Sequence, residues 1–304
     1  MHPWIFTAFG REIRWYGLGY ALTLLIGANL SAWLLRKRGH NGDKVWDAII
    51  WFIPISFLGA RLVYVLTNLD EYVGQGWEWI RIDHGGISFH GGIVAGVLVC
   101  YFYFKNKSPN FWQVMDSFAV PTAMGICFVR IGNFMNGDIT GHKWNGPWAM
   151  NFPYDELHDN VYLGPGNYIL DPQIIPRHPT EIYGFLVGVI VLLVVIASWR
   201  MRKYDGFVYY QFILWYSIVR SVIEEPFRDV PHLFYKWSYE PWGMGGITTT
   251  QWVSIGFAAY ALIGMYWTPR LQARAALGKE AREAEIAAMK ERRKEGRSRK
   301  KPRG

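Results

Sequence analysis

Apolar residues in this chain are gathered into seven long runs that carry little charge, at about 15–35, 47–66, 87–104, 113–129, 182–199, 207–223 and 250–267. A hydrocarbon layer about 30 Å thick takes roughly 20 apolar helical residues, fewer where flanking groups reach the interface. The pattern predicts an all-α integral membrane protein with seven transmembrane helices.

The polar stretches between the runs are not alike. Arg36, Lys37, Arg38 and Lys44 follow the first run, Lys105 and Lys107 the third, and Arg200, Arg202 and Lys203 the fifth. With the residues from Arg270 to Arg303 they make up 22 of the 32 Lys and Arg. Short basic loops stay cytoplasmic, so the N-terminus is expected outside and the C-terminus in the cytoplasm. The longest connection, about 130–181, is then on the outer side. It holds Trp144, Trp148, Tyr154, Tyr162, Tyr168 and six prolines, and its aromatic content predicts an ordered cap at the interface.

Composition agrees with this division. Of 304 residues 51% are apolar, 17% aromatic and 18% charged, with a formal charge of +8, which excludes disorder and a disulfide miniprotein. The expected organisation is a seven-span membrane domain over 1–269 and a basic cytoplasmic tail over 270–304, a frayed helix or disordered segment rich in Ala, Glu, Lys and Arg. Such a tail is drawn to anionic lipid headgroups, and nucleic acid is not an expected partner. Cys100 and Cys127 lie inside apolar runs and form no metal or CxxC pattern, so they read as packing residues. No cleavable signal is expected, because the first run is long enough to span and ends at Arg36-Lys37-Arg38 without a small-residue cleavage site.

Arginine in mid-membrane is costly, so Arg61 and Arg220 each require a cavity or a partner. Residues 220, 224 and 228 share a helix face at spacing four, with Pro226 interrupting it. An internal Arg–Glu–Arg ladder and a ligand site are both open on that spacing. A glycine-rich break, Asp83-His84-Gly85-Gly86-Ile87-Ser88-Phe89-His90-Gly91-Gly92, opens the third run and lets backbone approach a ligand closely. His90 there is a candidate base or phosphate donor, and no metal is expected, since His84 and His90 lack a third ligand at a convincing spacing. Where the fourth run ends, Arg130, Asn133, Asn136, Asp138 and Gly141 offer a cation, two amides and a carboxylate. Those groups can hold a phosphate or simply turn the chain. Arg61, His90, Arg130 and Arg220 all belong to the runs or their outer halves, so they point to a membrane-embedded site for a phosphate-bearing amphiphile.

At these residues the sequence resembles the prolipoprotein diacylglyceryl transferase family. The stretch Arg130-Ile-Gly-Asn133-Phe-Met-Asn136-Gly-Asp138-Ile-Thr-Gly141 is similar to the family signature. Arg14-Trp15-Tyr16-Gly17-Leu18, Gly59-Ala-Arg61 with Tyr64, Gly85-Gly-Ile-Ser88-Phe-His90-Gly-Gly, Arg177-His178-Pro179-Thr180-Glu181-Ile-Tyr183, and Tyr216 ahead of Arg220 accompany it in order. Three positions depart from the family pattern. Asp138 stands where Glu is usual, His84 where Asp is usual, and Arg220 and Arg228 are one residue further apart, so either Glu224 or Glu225 takes the place of the family glutamate.

The resemblance implies an enzyme of the bacterial inner membrane, multi-pass and active in lipoprotein biosynthesis. It would transfer the diacylglyceryl group of phosphatidylglycerol to the lipobox cysteine of a prolipoprotein signal peptide, forming a thioether and releasing glycerol phosphate. No cofactor is expected. Arg130 and Arg220 would bind the lipid phosphate, and His90 would be the base, the alternative being an arginine-dominated mechanism in which His90 is only structural. Tyr16, Asn133, Asn136, Asp138, Gly141, Tyr216 and Glu224 or Glu225 would orient the headgroup, with Arg61, His178 and Arg228 as further substrate-binding candidates. The alternatives are a membrane transporter of lipid or anions using the same arginines, and a diverged family member that does not carry out the transfer.

Overall fold

The computed structural model describes residues 4–8, 11–74, 76–81, 86, 88–137, 141–151, 176–230, 244 and 247–299. Eight α-helices appear among them: α1 Trp15–Lys37, α2 Lys44–Thr67, α3 Leu69–Tyr72, α4 Phe89–Phe104, α5 Phe111–Asn136, α6 Thr180–Arg200, α7 Phe207–Ile223 and α8 Thr249–Arg299. Four of them, α1, α2, α5 and α6, are long and apolar enough to cross a membrane. The 207–223 run coincides with α7, and the 87–104 and 250–267 runs fall on α4 and the start of α8. One element lies outside the all-helical expectation, an antiparallel hairpin of β1 Trp4–Ala8 and β2 Arg11–Arg14 just before α1.

These helices are apolar on the outside. Ile50, Leu62, Leu98, Leu193 and Val222 are exposed, and only 17% of the apolar window of α2 is buried. Such surfaces suit lipid, where helices associate by close packing rather than by hydrophobic exclusion from water. Small residues supply that packing. A Cβ on Gly59 of α2 would lie 2.3 Å from Ala95 Cβ of α4, and one on Gly125 of α5 would lie 2.3 Å from Thr23 of α1. Helix α5 is the central post, packed against α1, α6 and α7. Ala119, Val120 and Ala123 of α5 meet Val187, Val191 and Val195 of α6 in one buried cluster.

Contacts between helix termini define two ends of the bundle. At one end, Asp116 near the start of α5 is fully buried and accepts the backbone N–H groups of Gly206 and Tyr209 at 3.0 Å each, while Arg38, just beyond α1, pairs with it at 3.3 Å. The Gln272 side chain of α8 donates to the Asp205 carbonyl there at 2.8 Å. The termini bearing Arg36, Arg38, Lys44, Lys105, Arg200 and Arg202 therefore collect at this end, which we call the basic end. At the other end the close of α5 meets the start of α1, where a Cβ on Gly132 would lie 2.8 Å from Tyr16 Cα.

Residues 270–299 differ from the expected frayed or disordered tail in being a direct continuation of α8. Their Ala, Glu, Lys and Arg content favours helix, and the Lys279–Glu283 pair at i, i+4 is 3.8 Å apart.

Candidate functional site

Helix α7 stops at Ile223, and the chain turns through a 3-10 segment, Glu225–Phe227, with Pro226 in it. Proline cannot donate to the preceding turn, so the α-helical repeat tightens here. The result is that both glutamates, not one, face the arginines. Arg220 lies 2.7 Å from Glu225 and 3.6 Å from Glu224, and Arg228 lies 2.9 Å from Glu225 and 3.7 Å from Glu224. Arg130, near the end of α5, reaches Glu224 at 2.5 Å. The Thr248 hydroxyl donates to the far oxygen of Glu225 at 2.8 Å, and Arg220 donates to the Tyr216 hydroxyl at 3.3 Å.

Glu224 and Glu225 are 1% and 0% exposed. Burial pushes the Glu225 carboxyl up, but the Arg220 and Arg228 guanidinium groups and the Thr248 hydroxyl outweigh it and hold the group below the usual carboxylate range. Among the described residues, the guanidinium groups of Arg130, Arg220 and Arg228 meet the carboxylates of Glu224 and Glu225 here. An anion near this cluster therefore meets arginine donors already held in place.

Arg130 is held in place by a missing side chain. A Cβ on Gly184 of α6 would lie 2.4 Å from Arg130 Nε and 2.9 Å from its Cζ. The guanidinium thus lies directly against the α6 backbone, and any larger residue at 184 would require it to shift.

A second group of residues flanks this cluster. Gly141 pairs with Arg228, and Lys143 and Met150 pair with Arg177, in isolated β-bridges. His178 stacks on Trp144 with ring centroids 4.2 Å apart and planes at 8°, and its Nδ1 lies 2.9 Å from the Tyr183 hydroxyl. Arg177 donates to the Gly141 carbonyl at 3.1 Å and lies 3.4 Å from Asp229. A Cβ on Gly141 would meet His178 Cβ at 2.6 Å.

The structure thus gathers Arg130, Arg220, Arg228, Glu224, Glu225 and Tyr216 into one network, with Gly141 and His178 beside it. Arg61 is placed differently. Its guanidinium donates to the carbonyls of Glu78 at 2.6 Å, Gly86 at 2.8 Å and Trp79 at 3.3 Å, so it ties these three residues to α2. Gly86 makes this possible, because its φ is +70° and a Cβ would lie 2.8 Å from the Arg61 guanidinium. Tyr16 hydrogen-bonds Tyr20 at 2.8 Å at the start of α1. Asn133 is buried and Asn136 ends α5. His90 lies in the first turn of α4, capped by Ser88, but its side chain lies outside the described residues, as do Asp83, His84 and Asp138.

Two partners escape a reading of the sequence. Thr248 sits in Thr248-Thr249-Thr250 with nothing to distinguish it. Gly184 is one glycine among 32, and its role follows only from the facing arginine.

Comparison with known proteins agrees with the signature residues. The family described as prolipoprotein diacylglyceryl transferase matches residues 3–267. The chain is 34% identical to the phosphatidylglycerol–prolipoprotein diacylglyceryl transferase of Thermus thermophilus over 276 residues, 85% of this chain and 94% of that protein. The enzymes of the same name from Deinococcus radiodurans and Pseudomonas aeruginosa are 33% and 34% identical, over 88% and 86% of this chain and 85% and 91% of theirs. The chain belongs to this family of transferases.

Proposed function

We propose that this member of the prolipoprotein diacylglyceryl transferase family moves the diacylglyceryl group of phosphatidylglycerol onto the lipobox cysteine thiol of a prolipoprotein signal peptide. The chain would do so from a bacterial inner membrane, crossing it seven times with the N-terminus outside and the basic end in the cytoplasm. The 1–269 segment is the catalytic domain, residues 130–181 include its outer cap, and 270–304 is a cytoplasmic extension. The observation that carries this reading is the meeting of three guanidinium groups, those of Arg130, Arg220 and Arg228, around Glu224 and Glu225 among the described residues. It suits a negatively charged lipid phosphate.

In the reaction, the substrate sulfur attacks the glyceryl carbon that carries the phosphate oxygen. A carbon–sulfur bond forms, the carbon–oxygen bond breaks, and its electrons leave with glycerol phosphate. Arg130 and Arg220 bind the phosphate and stabilise the charge that grows on the leaving group. Arg228 and the two glutamates fix the arginines so that little reorganisation is needed when that charge appears. His90 takes the thiol proton, since a free cysteine with a pKa near 8.5 is mostly protonated at neutral pH. Tyr16, Asn133, Asn136, Asp138, Gly141 and Tyr216 orient the headgroup. Arg61 acts at one remove by holding the segment that leads to His90, and His178 by holding the outer segment against α6.

The test is transfer of radiolabelled glyceride from phosphatidylglycerol to a synthetic lipobox peptide by the purified protein. Labelling is expected, and it disappears with Arg130→Ala and with a peptide bearing Ser for Cys. No labelling by folded protein in phosphatidylglycerol vesicles overturns the proposal. His90→Ala, run in parallel, decides the base.

A further inference from the structure

Helices α2 and α4 are close where Gly59 and Gly91 face each other: a Cβ on Gly91 would lie 2.4 Å from the Gly59 carbonyl oxygen. Toward the basic end, bulky residues replace the glycines and the surfaces no longer fill the space between them. A groove of about 440 Å³ is left, lined by Trp51 and Ile55 of α2 and by Leu98, Val99, Phe102 and Tyr103 of α4. That volume is within the roughly 300–1,000 Å³ of ordinary ligand clefts. Trp51, Leu98 and Phe102 are exposed, so the groove opens on the outer surface of the bundle rather than on its core.

The end of the groove is charged. Lys105 Nζ sits 5.1 Å from the Phe102 ring centroid and Lys107 Nζ 3.4 Å from that of Tyr103. Both rings belong to the groove wall, so two ammonium groups stand at its mouth. Among the described residues neither is paired with a carboxylate within 4.0 Å. An apolar trough ending at two lysines, with the single Asp47 carboxylate acting on the Tyr103 side of that end, fits an amphiphile with a hydrocarbon chain and an anionic head, and basic residues beside a membrane attract just such headgroups. The groove is also separate from the arginine network, which lies at the opposite end of the bundle.

We propose that this groove is a second lipid site, holding one acyl chain of an anionic glycerophospholipid whose phosphate rests on Lys105 and Lys107. A lipid seated here would seal the seam between α2 and α4 at the basic end. The inference uses only the membrane setting of α2 and does not depend on the transfer reaction.

Trp51 provides a local probe. The full-length protein is placed in phosphatidylcholine nanodiscs containing either acyl-brominated phosphatidylglycerol or acyl-brominated phosphatidylcholine at equal mole fraction. The quenching that belongs to Trp51 is obtained by difference against Trp51→Phe. Several-fold stronger quenching by the brominated phosphatidylglycerol is expected, and Lys105→Gln/Lys107→Gln should erase the preference while leaving the melting temperature in place. Arg130→Ala should leave the Trp51 signal unchanged, which keeps this site distinct from that of the proposed substrate. Equal quenching by the two lipids, or a preference that survives the double lysine variant, overturns the proposal. Shielding of Trp51 from both lipids also overturns it, and indicates that a second copy of the chain fills the groove.

Discussion

Arg130 and Glu224 are 94 residues apart in sequence and meet at 2.5 Å, with both side chains almost wholly buried. The contact joins the end of α5 to the end of α7, so the ion pair at the proposed phosphate site also ties two helices together. Under the proposed function, activity and stability are coupled at Arg130.

Replacing Arg130 separates the two. Arg130→Lys keeps the charge but loses the planar fork and its reach to both an anion and Glu224. Transfer to the lipobox peptide should fall by about 100-fold or more, the scale for losing one preorganised donor to developing charge. Arg130→Ala should be as inactive and should also melt lower, since the buried Glu224 carboxylate loses its nearest guanidinium and keeps only Arg220 and Arg228 at 3.6 and 3.7 Å. Paired activity and thermal-unfolding measurements on the two variants check this.

Gly184 should be intolerant of even one methyl group. In Gly184→Ala the new Cβ meets Arg130 Nε at 2.4 Å, so the guanidinium must move away from the α6 backbone. Activity is expected to drop by at least about 10-fold, about 1.4 kcal/mol at the transition state, with helical circular dichroism intact. An alanine variant with full activity would show that Arg130 needs no such seat.

The acid limb of stability should report Glu225. Its folded carboxyl lies below the ordinary value of 4.5, so the proton binds the unfolded chain more readily. The stabilisation is then fully present above the unfolded value and is lost as pH falls through the folded one. Thr248→Val removes the hydroxyl that donates to Glu225 and should lower stability at pH 7 by about 1–3 kcal/mol. Below the folded value the gap between Thr248→Val and the unaltered protein should narrow, which melting curves across the acid range would reveal.

A disruption at the basic end should leave the chemistry alone. Asp116→Ala frees the Gly206 and Tyr209 N–H groups and leaves Arg38 without its carboxylate. Breaking such a buried pair should cost about 3–5 kcal/mol, while KM for the peptide stays near that of the unaltered protein at a temperature where both are folded. A change in KM matching that of Arg130→Lys would show that the two ends communicate.

Which of these features the sequence makes visible depends on how local the physics is. Runs such as 15–35 and 182–199 fall inside α1 and α6 because hydrophobic length is a property of a single segment. The grouping of Arg220 with Glu224 and Arg228 was legible from spacing alone, although the 3-10 turn at Pro226 brings in Glu225 as well. Asp116 was legible in principle: a carboxylate inside an apolar run is as costly as the arginines that drew attention, and its partners are helix-terminal N–H groups. Gly184 and Thr248 were not, because each acquires meaning from a residue more than 20 positions away. The role of Arg61 shows the opposite error, since mid-membrane charge signals a partner without saying that the partners are the backbone carbonyls of Glu78, Trp79 and Gly86.

Among the described residues, helix α8 makes its last side-chain tie to the bundle at Gln272, and it runs on to Arg299. At 1.5 Å per residue the remaining 27 residues measure about 40 Å, more than the thickness of the hydrocarbon layer itself. Residues 273–290 touch nothing that hides them from solvent. Mechanically this is a cantilever. Among the described residues its exposed part packs on none of the helices that frame Arg130, so shortening it by whole turns would change reach in steps of about 5.4 Å without disturbing them.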